Sequence, residues 1–179
     1  YSYTKDRGWF FEKTLVDNLD AFHDSRLIDY YLPEFTSKIP MMIFSPGVVN
    51  DGRRILISSQ PISYMTHKDS TICSSNYPSV EDIEFNELFS DNDSYNVKMT
   101  SVLRMNATFP YILPMVMLPT SPPIEIMDAG LRDNYGLKTS MKFINNFKNW
   151  IENKRLGYVE IGRNWDTRWN RWQIKKRIT

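Results

Sequence analysis

Apolar side chains at Trp9, Phe10, Leu15, Val16, Leu19, Phe22, Leu27, Ile28 and Tyr31 recur mostly at spacings of three and four, interrupted by Asp24 and Ser25. This pattern predicts two short helices that stop before Pro33, with His23 a half-buried helix residue. Ile39-Pro40-Met41-Met42-Ile43-Phe44 is a continuous apolar run of strand length. Ser45-Pro46-Gly47 and Asn50-Asp51-Gly52 follow it as turn chemistry, and Arg54-Ile55-Leu56-Ile57-Ser58 follows as a second strand. An unbroken apolar run buries both its faces, so the first strand is expected inside a covered sheet of the α/β kind.

Residues 60–95 are rich in Ser, Asp, Asn and Pro and predict a long irregular excursion, relieved by Ile83, Phe85 and Leu88 between acidic neighbours. Met99, Val102, Leu103 and Phe109 predict a helix ended by Pro110, after which Pro114, Pro119, Pro122 and Pro123 punctuate a connection. Ile124-Glu125-Ile126-Met127 reads as a short strand running directly into Asp128-Ala129-Gly130. From Leu137 to Lys154, the rows Leu137/Met141/Ile144/Ile151 and Phe143/Phe147/Trp150 predict one helix with a broad apolar face, and Gly157 lies just beyond it. Tyr158-Val159-Glu160-Ile161 predicts one more strand.

Composition narrows the function more than the fold. With 179 residues, 41% hydrophobic and 24% charged, the chain can bury a core and is neither a disordered tail nor a collagen-like segment. Its 22 basic and 21 acidic residues leave +1, too balanced for a protein that neutralises a nucleic-acid backbone, so no nucleic-acid partner is expected. The lone Cys73 cannot close an internal disulfide, and two His with one Cys cannot build a Cys-rich zinc module. Metal-centred chemistry is therefore not expected. No apolar run reaches the roughly 18–20 residues that span a bilayer.

The strand, sharp turn and helix around Asp128 form the place where open α/β sheets put active residues. Ala129 and Gly130 carry almost no side chain, so another loop has room to approach Asp128, and Gly130 tolerates backbone angles forbidden to other residues. Taken alone, such a triplet is more often an Asp capping its own backbone. Arg104 is a candidate for binding a phosphate or carboxylate, or for tying down neighbouring carbonyls near the end of its helix. Asp133 and Asn134 are expected to start the next helix by accepting first-turn N–H groups. His67 and Cys73, six residues apart in a polar loop, lack supporting residues for a Cys–His nucleophile pair.

Arg104-Met105-Asn106-Ala107-Thr108-Phe109-Pro110, Leu113-Pro114-Met115-Val116 and Met127-Asp128-Ala129-Gly130-Leu131-Arg132-Asp133-Asn134 resemble the second half of the patatin-like phospholipases. That family has an Arg-x-Ser-x-Ala-x-Pro helix end, a short Pro-containing link and an Asp-Gly-Gly or Asp-Gly-Ala turn. Residues 40–58 are similar to its paired strands upstream, so the resemblance covers roughly 39–161 and is most specific between 104 and 136. It implies a partial three-layer α/β/α sandwich of patatin-like type with a long irregular insertion around 60–95. It also implies a serine acyl hydrolase using a Ser–Asp dyad, with phospholipid or another acyl lipid as substrate. Carried onto this chain, Asp128 is the general base, Ala129 and Gly130 form the active-site turn, and Arg104 and Asn106 support it. Ala129 stands where the family usually has Gly, and Asn106 and Thr108 stand where Ser and Ala are usual.

None of the seven glycines forms Gly-x-Ser-x-Gly or a glycine-rich oxyanion loop. The family places both before the matched region, so the nucleophile is expected upstream of this chain, and residues 1–179 alone are expected to be inactive. The rival expectation is a non-catalytic lipid- or partner-binding module on a retained hydrolase scaffold.

Residues 1–162 are expected to form the later part of the hydrolase domain and 163–179 a separate, helical segment continuing into a longer parent. In a helix, Trp165, Trp169 and Trp172 share one face. Six basic residues there oppose only Asp166, a local balance of +5. Such a segment suits an anionic membrane surface, or alternatively packs its indoles on the rest of the parent. The compartment is open, with cytoplasmic or peripheral-membrane placement expected.

Overall fold

In the computed structural model, which describes residues 5–66, 82–89, 93–153, 159–161 and 174–176, Asp6 starts the first helix. Its Oδ1 accepts the Trp9 N–H at 2.8 Å, satisfying one of the donors that a helix start leaves without an intrahelical acceptor. Helix α1 runs Arg7–Asn18. Tight single turns at Asp20–Phe22 and Leu27–Tyr30 follow, and then α2, Tyr31–Phe35. The helix expected to stop before Pro33 instead contains it. Pro33 is the third residue of α2, within the first turn, where proline is tolerated because the N–H groups there are not part of the helix's own hydrogen-bond ladder. His23 is exposed rather than half-buried.

Of the apolar run 39–44, only Phe44 pairs as a strand with another described residue, exchanging two 2.9 Å bonds with Ile57. Pro40 has no donor, and the Met42 N–H goes to Glu34 Oε1 at 3.1 Å, so neither position donates to the sheet. The first strand lies further on, at Gly47–Val48 (β1), and pairs antiparallel with Arg54–Leu56 (β2). The Asn50-Asp51-Gly52 turn joins them as expected. Gly52 has φ +75°, the left-handed region that favours glycine, and its N–H donates to the Val48 carbonyl at 2.9 Å.

Within the predicted irregular excursion, Asp82–Glu84 forms β3, parallel to β2, and leads into α3, Phe85–Leu88. Helix α4, Met99–Ala107, stops short of Pro110. Val116–Leu118 (β4) and Ile124–Met127 (β5) form an antiparallel pair, and β5 also pairs antiparallel with β1. The sheet order is β3-β2-β1-β5-β4, mixed in direction. The class is α/β.

Strands β1 and β2 are covered: Gly47 and Val48, and Arg54, Ile55 and Leu56, are all buried. Ile55 and Ile57 project to one face, where Met99, Val102 and Met105 of α4 complete a core with Val48, Leu118 and Ile126. Phe109 is left half in solvent. The opposite face carries Arg54, 1% exposed, in a bidentate pair with Asp82 at 2.7 and 2.9 Å. Its remaining reach goes to Asp133 Oδ2 at 3.2 Å and Thr139 Oγ1 at 3.0 Å, and Lys142 Nζ donates to Asp82 Oδ2 at 2.7 Å. Two cations and two carboxylates compensate each other, which is what burial of such charges demands.

Helix α5, Gly130–Asp133, follows β5, and α6 runs Leu137–Asn146. Asp133 accepts the Lys138 and Thr139 N–H groups at 3.0 and 2.9 Å, so it caps the first turn of α6 as expected.

The chain divides into two units, Tyr1–Lys142 and Phe143–Thr179. The second contains the end of α6, α7 (Lys148–Asn153), and an antiparallel pair of Val159–Ile161 (β6) with Ile174–Lys176 (β7). The helix expected from Leu137 to Lys154 is therefore two helices, interrupted at Phe147, and its apolar face leaves Met141 and Trp150 exposed. Ile174–Lys176 is strand where helix was expected. Trp165, Trp169 and Trp172, with His67, Cys73 and Gly157, lie outside the described residues. No helix among the described residues is long and apolar enough to cross a membrane.

Candidate active site

Strand β5 carries the chain to Asp128, and the end of α4 fixes the turn. The last carbonyls of a helix lack intrahelical donors. Here the Asp128 N–H donates to the Thr108 carbonyl at 2.9 Å and the Ala129 N–H to the Asn106 carbonyl at 3.2 Å. Thr108 is locked in turn, fully buried, with its Oγ1 donating to the Arg104 carbonyl at 2.6 Å. The Asn106 side chain faces a second segment: its Oδ1 accepts the Ser45 N–H at 3.0 Å, just ahead of β1. Asn106 thus joins the approach to β1 and the turn after β5.

Ala129 has φ −60° and ψ −30°, ordinary helical values. The departure from Gly at this position therefore carries no backbone strain. Gly130 also lies in a helical turn, so left-handed freedom is not why glycine stands there. Space is the reason: a β-carbon on Gly130 would lie 2.6 Å from Asp128 Oδ1 and 3.0 Å from Asn134 Oδ1.

The Asp128 carboxylate is half-buried, and its Oδ1 accepts the Gly130 N–H at 2.6 Å, the backbone-capping role such triplets often have. Among the described residues no hydrogen bond engages Oδ2. One oxygen aims the carboxylate, and the other is available to accept a proton.

Arg104 points elsewhere. Its guanidinium donates to Glu12 Oε1 and Asp6 Oδ2, both at 3.3 Å, and lies against Gly8, whose absent side chain makes room for it. Its positive charge is compensated by α1 carboxylates, so the side chain ties α1 to α4 and is not delivered to the Asp128 turn. Of the five residues predicted for the site, the structure brings together Asp128, Ala129, Gly130 and Asn106.

Sequence reasoning passed over a second group of buried polar side chains beyond β2. Glu34 accepts Ser59 Oγ–H at 2.6 Å, and Glu84 accepts the Ile62 N–H at 3.0 Å. Burial pushes the Glu84 carboxyl above its ordinary value, the Ile62 N–H opposes this, and nearby Glu87 adds to it. Burial together with the Glu84 charge also raises Tyr64 and Tyr95. The available signal was Glu84 at the end of a short alternating segment, with an apolar residue on either side of it. Comparison with protein-family models, curated proteins and solved structures finds no match for this chain.

Proposed function

We propose that this chain is part of a patatin-like acyl hydrolase built as a three-layer α/β/α sandwich, with Asp128 as the general base of a Ser–Asp dyad. The serine and the oxyanion loop belong to sequence outside residues 1–179. The observation that carries this reading is the Asp128 turn itself. It follows directly from a strand, two backbone hydrogen bonds clamp it to the end of α4, and its carboxylate is aimed by one oxygen with the other unengaged.

In the reaction, Asp128 Oδ2 takes the hydroxyl proton as the serine oxygen attacks the ester carbonyl, and returns it to the departing alkoxide as the tetrahedral intermediate collapses to an acyl-serine and a free alcohol. Water then attacks that ester, giving a proton to the same carboxylate, which passes it to the serine oxygen as the carboxylic acid leaves. A carboxylate is a weak base toward an alcohol, so donors to the oxyanion supply much of the rate, roughly 3–4 kcal/mol each. Phospholipids or other acyl lipids are the substrates, and no metal or organic cofactor takes part.

A second reading, a non-catalytic lipid- or partner-binding module, is favoured by the capping bond from Gly130 to Asp128 Oδ1 and by the absence of Gly-x-Ser-x-Gly from the sequence. Ester turnover by the parent protein, with its upstream sequence restored, separates the two. Asp128→Ala is expected to lower turnover about 10²–10⁴-fold with the fold intact. Activity close to wild type rejects Asp128 as the base, and no activity in the wild-type parent favours the module.

A further inference from the structure

The arginines of the described residues are paired, with one exception. Arg7 and Arg26 donate to main-chain carbonyls, Arg53 to Asp51, Arg54 to Asp82 and Asp133, and Arg104 to Asp6 and Glu12. Arg132 is exposed, and its guanidinium makes neither a hydrogen bond nor an ion pair among the described residues. It belongs to α5, the helical turn that follows Asp128. Two glycines of the β1–β2 hairpin mark its path. Its Cγ lies 3.6 Å from the place a β-carbon on Gly47 would take, and the Asp128 carbonyl oxygen lies 3.8 Å from that same place. Its Nη1 lies 3.9 Å from the corresponding place on Gly52, where no other described atom comes within 4 Å. The side chain therefore starts beside the main chain of the Asp128 turn and ends over the open side of the Asn50-Asp51-Gly52 turn.

The acidic residues around this turn leave the guanidinium uncompensated. Asp51 is bridged by Arg53 at 2.6 Å, and Asp133 faces Arg54 and the start of α6. Glu125 borders the turn on β5, where its N–H meets Asn50 Oδ1, but it forms no ion pair with Arg132. A guanidinium presents a planar fork of N–H donors that fits two oxygens of a phosphate. Paired arginines have spent that fork on the fold, whereas Arg132 keeps it for a ligand. In a glycerophospholipid the phosphate diester is joined to the acyl esters through the glycerol carbons. An ester held at Asp128 Oδ2 thus brings its phosphate within a side chain's reach of the next helical turn.

We propose that Arg132 binds the phosphate diester of a glycerophospholipid and so selects phospholipids over neutral acylglycerols. This deepens the acyl-hydrolase reading and rests on it for its purpose, since the anion is bound beside the Asp128 base.

The test is an NMR titration of the full 179-residue chain with three separate probes: dihexanoylphosphatidylglycerol below its micellar concentration, dihexanoylglycerol, and inorganic phosphate. Binding is read at the Gly52 amide and, in wild type, at the Arg132 Nε–H. No turnover is measured, so an inactive parent protein rejects the hydrolase reading without touching this result. Wild type is expected to respond to the phospholipid and not to the neutral diacylglycerol. Arg132→Gln weakens phospholipid binding about tenfold, and Arg132→Lys, which keeps the charge but not the fork, falls between the two. Lys38→Gln, which removes an exposed charge from another element, leaves binding at the wild-type level. Absence of a wild-type response to the phospholipid overturns the proposal, as does equal affinity in Arg132→Gln. Inorganic phosphate binding as tightly as the phospholipid overturns the lipid assignment. An equal loss in Lys38→Gln shows that net charge alone is read, and overturns the site.

Discussion

At Gly130 the constraint is spatial, because Asp128 Oδ1 and Asn134 Oδ1 occupy the region a β-carbon would enter. Gly130→Ala must either push the Asp128 carboxylate away and lose its 2.6 Å bond, or shift the start of α5. Overpacking of this kind costs about 1–3 kcal/mol. The urea midpoint is expected to fall accordingly, and an unchanged midpoint would show that the turn does not hold the carboxylate. Ala129 answers to a different rule: its helical angles make alanine as suitable as glycine. Two adjacent small residues thus have separate reasons for being small, and only the coordinates of their neighbours distinguish them.

Asn106 acts between elements, since its main-chain carbonyl holds the Ala129 N–H and its side chain holds the Ser45 N–H. Asn106→Ala leaves the buried Ser45 N–H without its acceptor, at a cost of about 1–3 kcal/mol, measurable as a lowered urea midpoint. A midpoint equal to wild type would show that the Ser45 segment is held by other contacts. Elements specified by local pattern were legible in the sequence: α4 from its apolar spacing, β5 from its position before a turn, and the Asp133 cap from its place ahead of α6. Elements specified by distant partners were not. The 39–44 run has strand composition, but Pro40 and the Glu34 carboxylate remove its backbone from the ladder, and the strand forms at Gly47–Val48. Strand β3 exists because Arg54 and Asp82 meet across a parallel pair 28 residues apart, a contact no local periodicity encodes. The same distance effect misdirected Arg104: its position near a helix end was visible, whereas its carboxylate partners on α1, about ninety residues away, were not.

Across the unit Tyr1–Lys142, two buried carboxylates set opposite pH dependences. Burial would raise Asp133, but the Thr139 and Lys138 N–H groups, the Thr139 hydroxyl and the Arg54 charge together hold it below its ordinary 3.8. A depressed folded pKa contributes stability above the unfolded value, and that contribution is lost as pH falls through the folded one. Glu84 runs the other way. Burial, with Glu87 nearby, raises it above its ordinary 4.5 against the Ile62 N–H. Its contribution is complete below the unfolded value and is lost as pH rises through the folded one, so at neutral pH its charge weakens the fold. Urea denaturation across pH separates the two. Asp133→Asn is less stable than wild type at neutral pH, and the gap narrows below about pH 3.8, where protonation of the wild-type carboxyl removes the same charge. Glu84→Gln keeps an oxygen for the Ile62 N–H and removes the buried charge. Its stability relative to wild type therefore rises as pH climbs from about 4.5 toward neutral. A pH-independent difference between Glu84→Gln and wild type would show that the Glu84 carboxyl is not displaced by its burial.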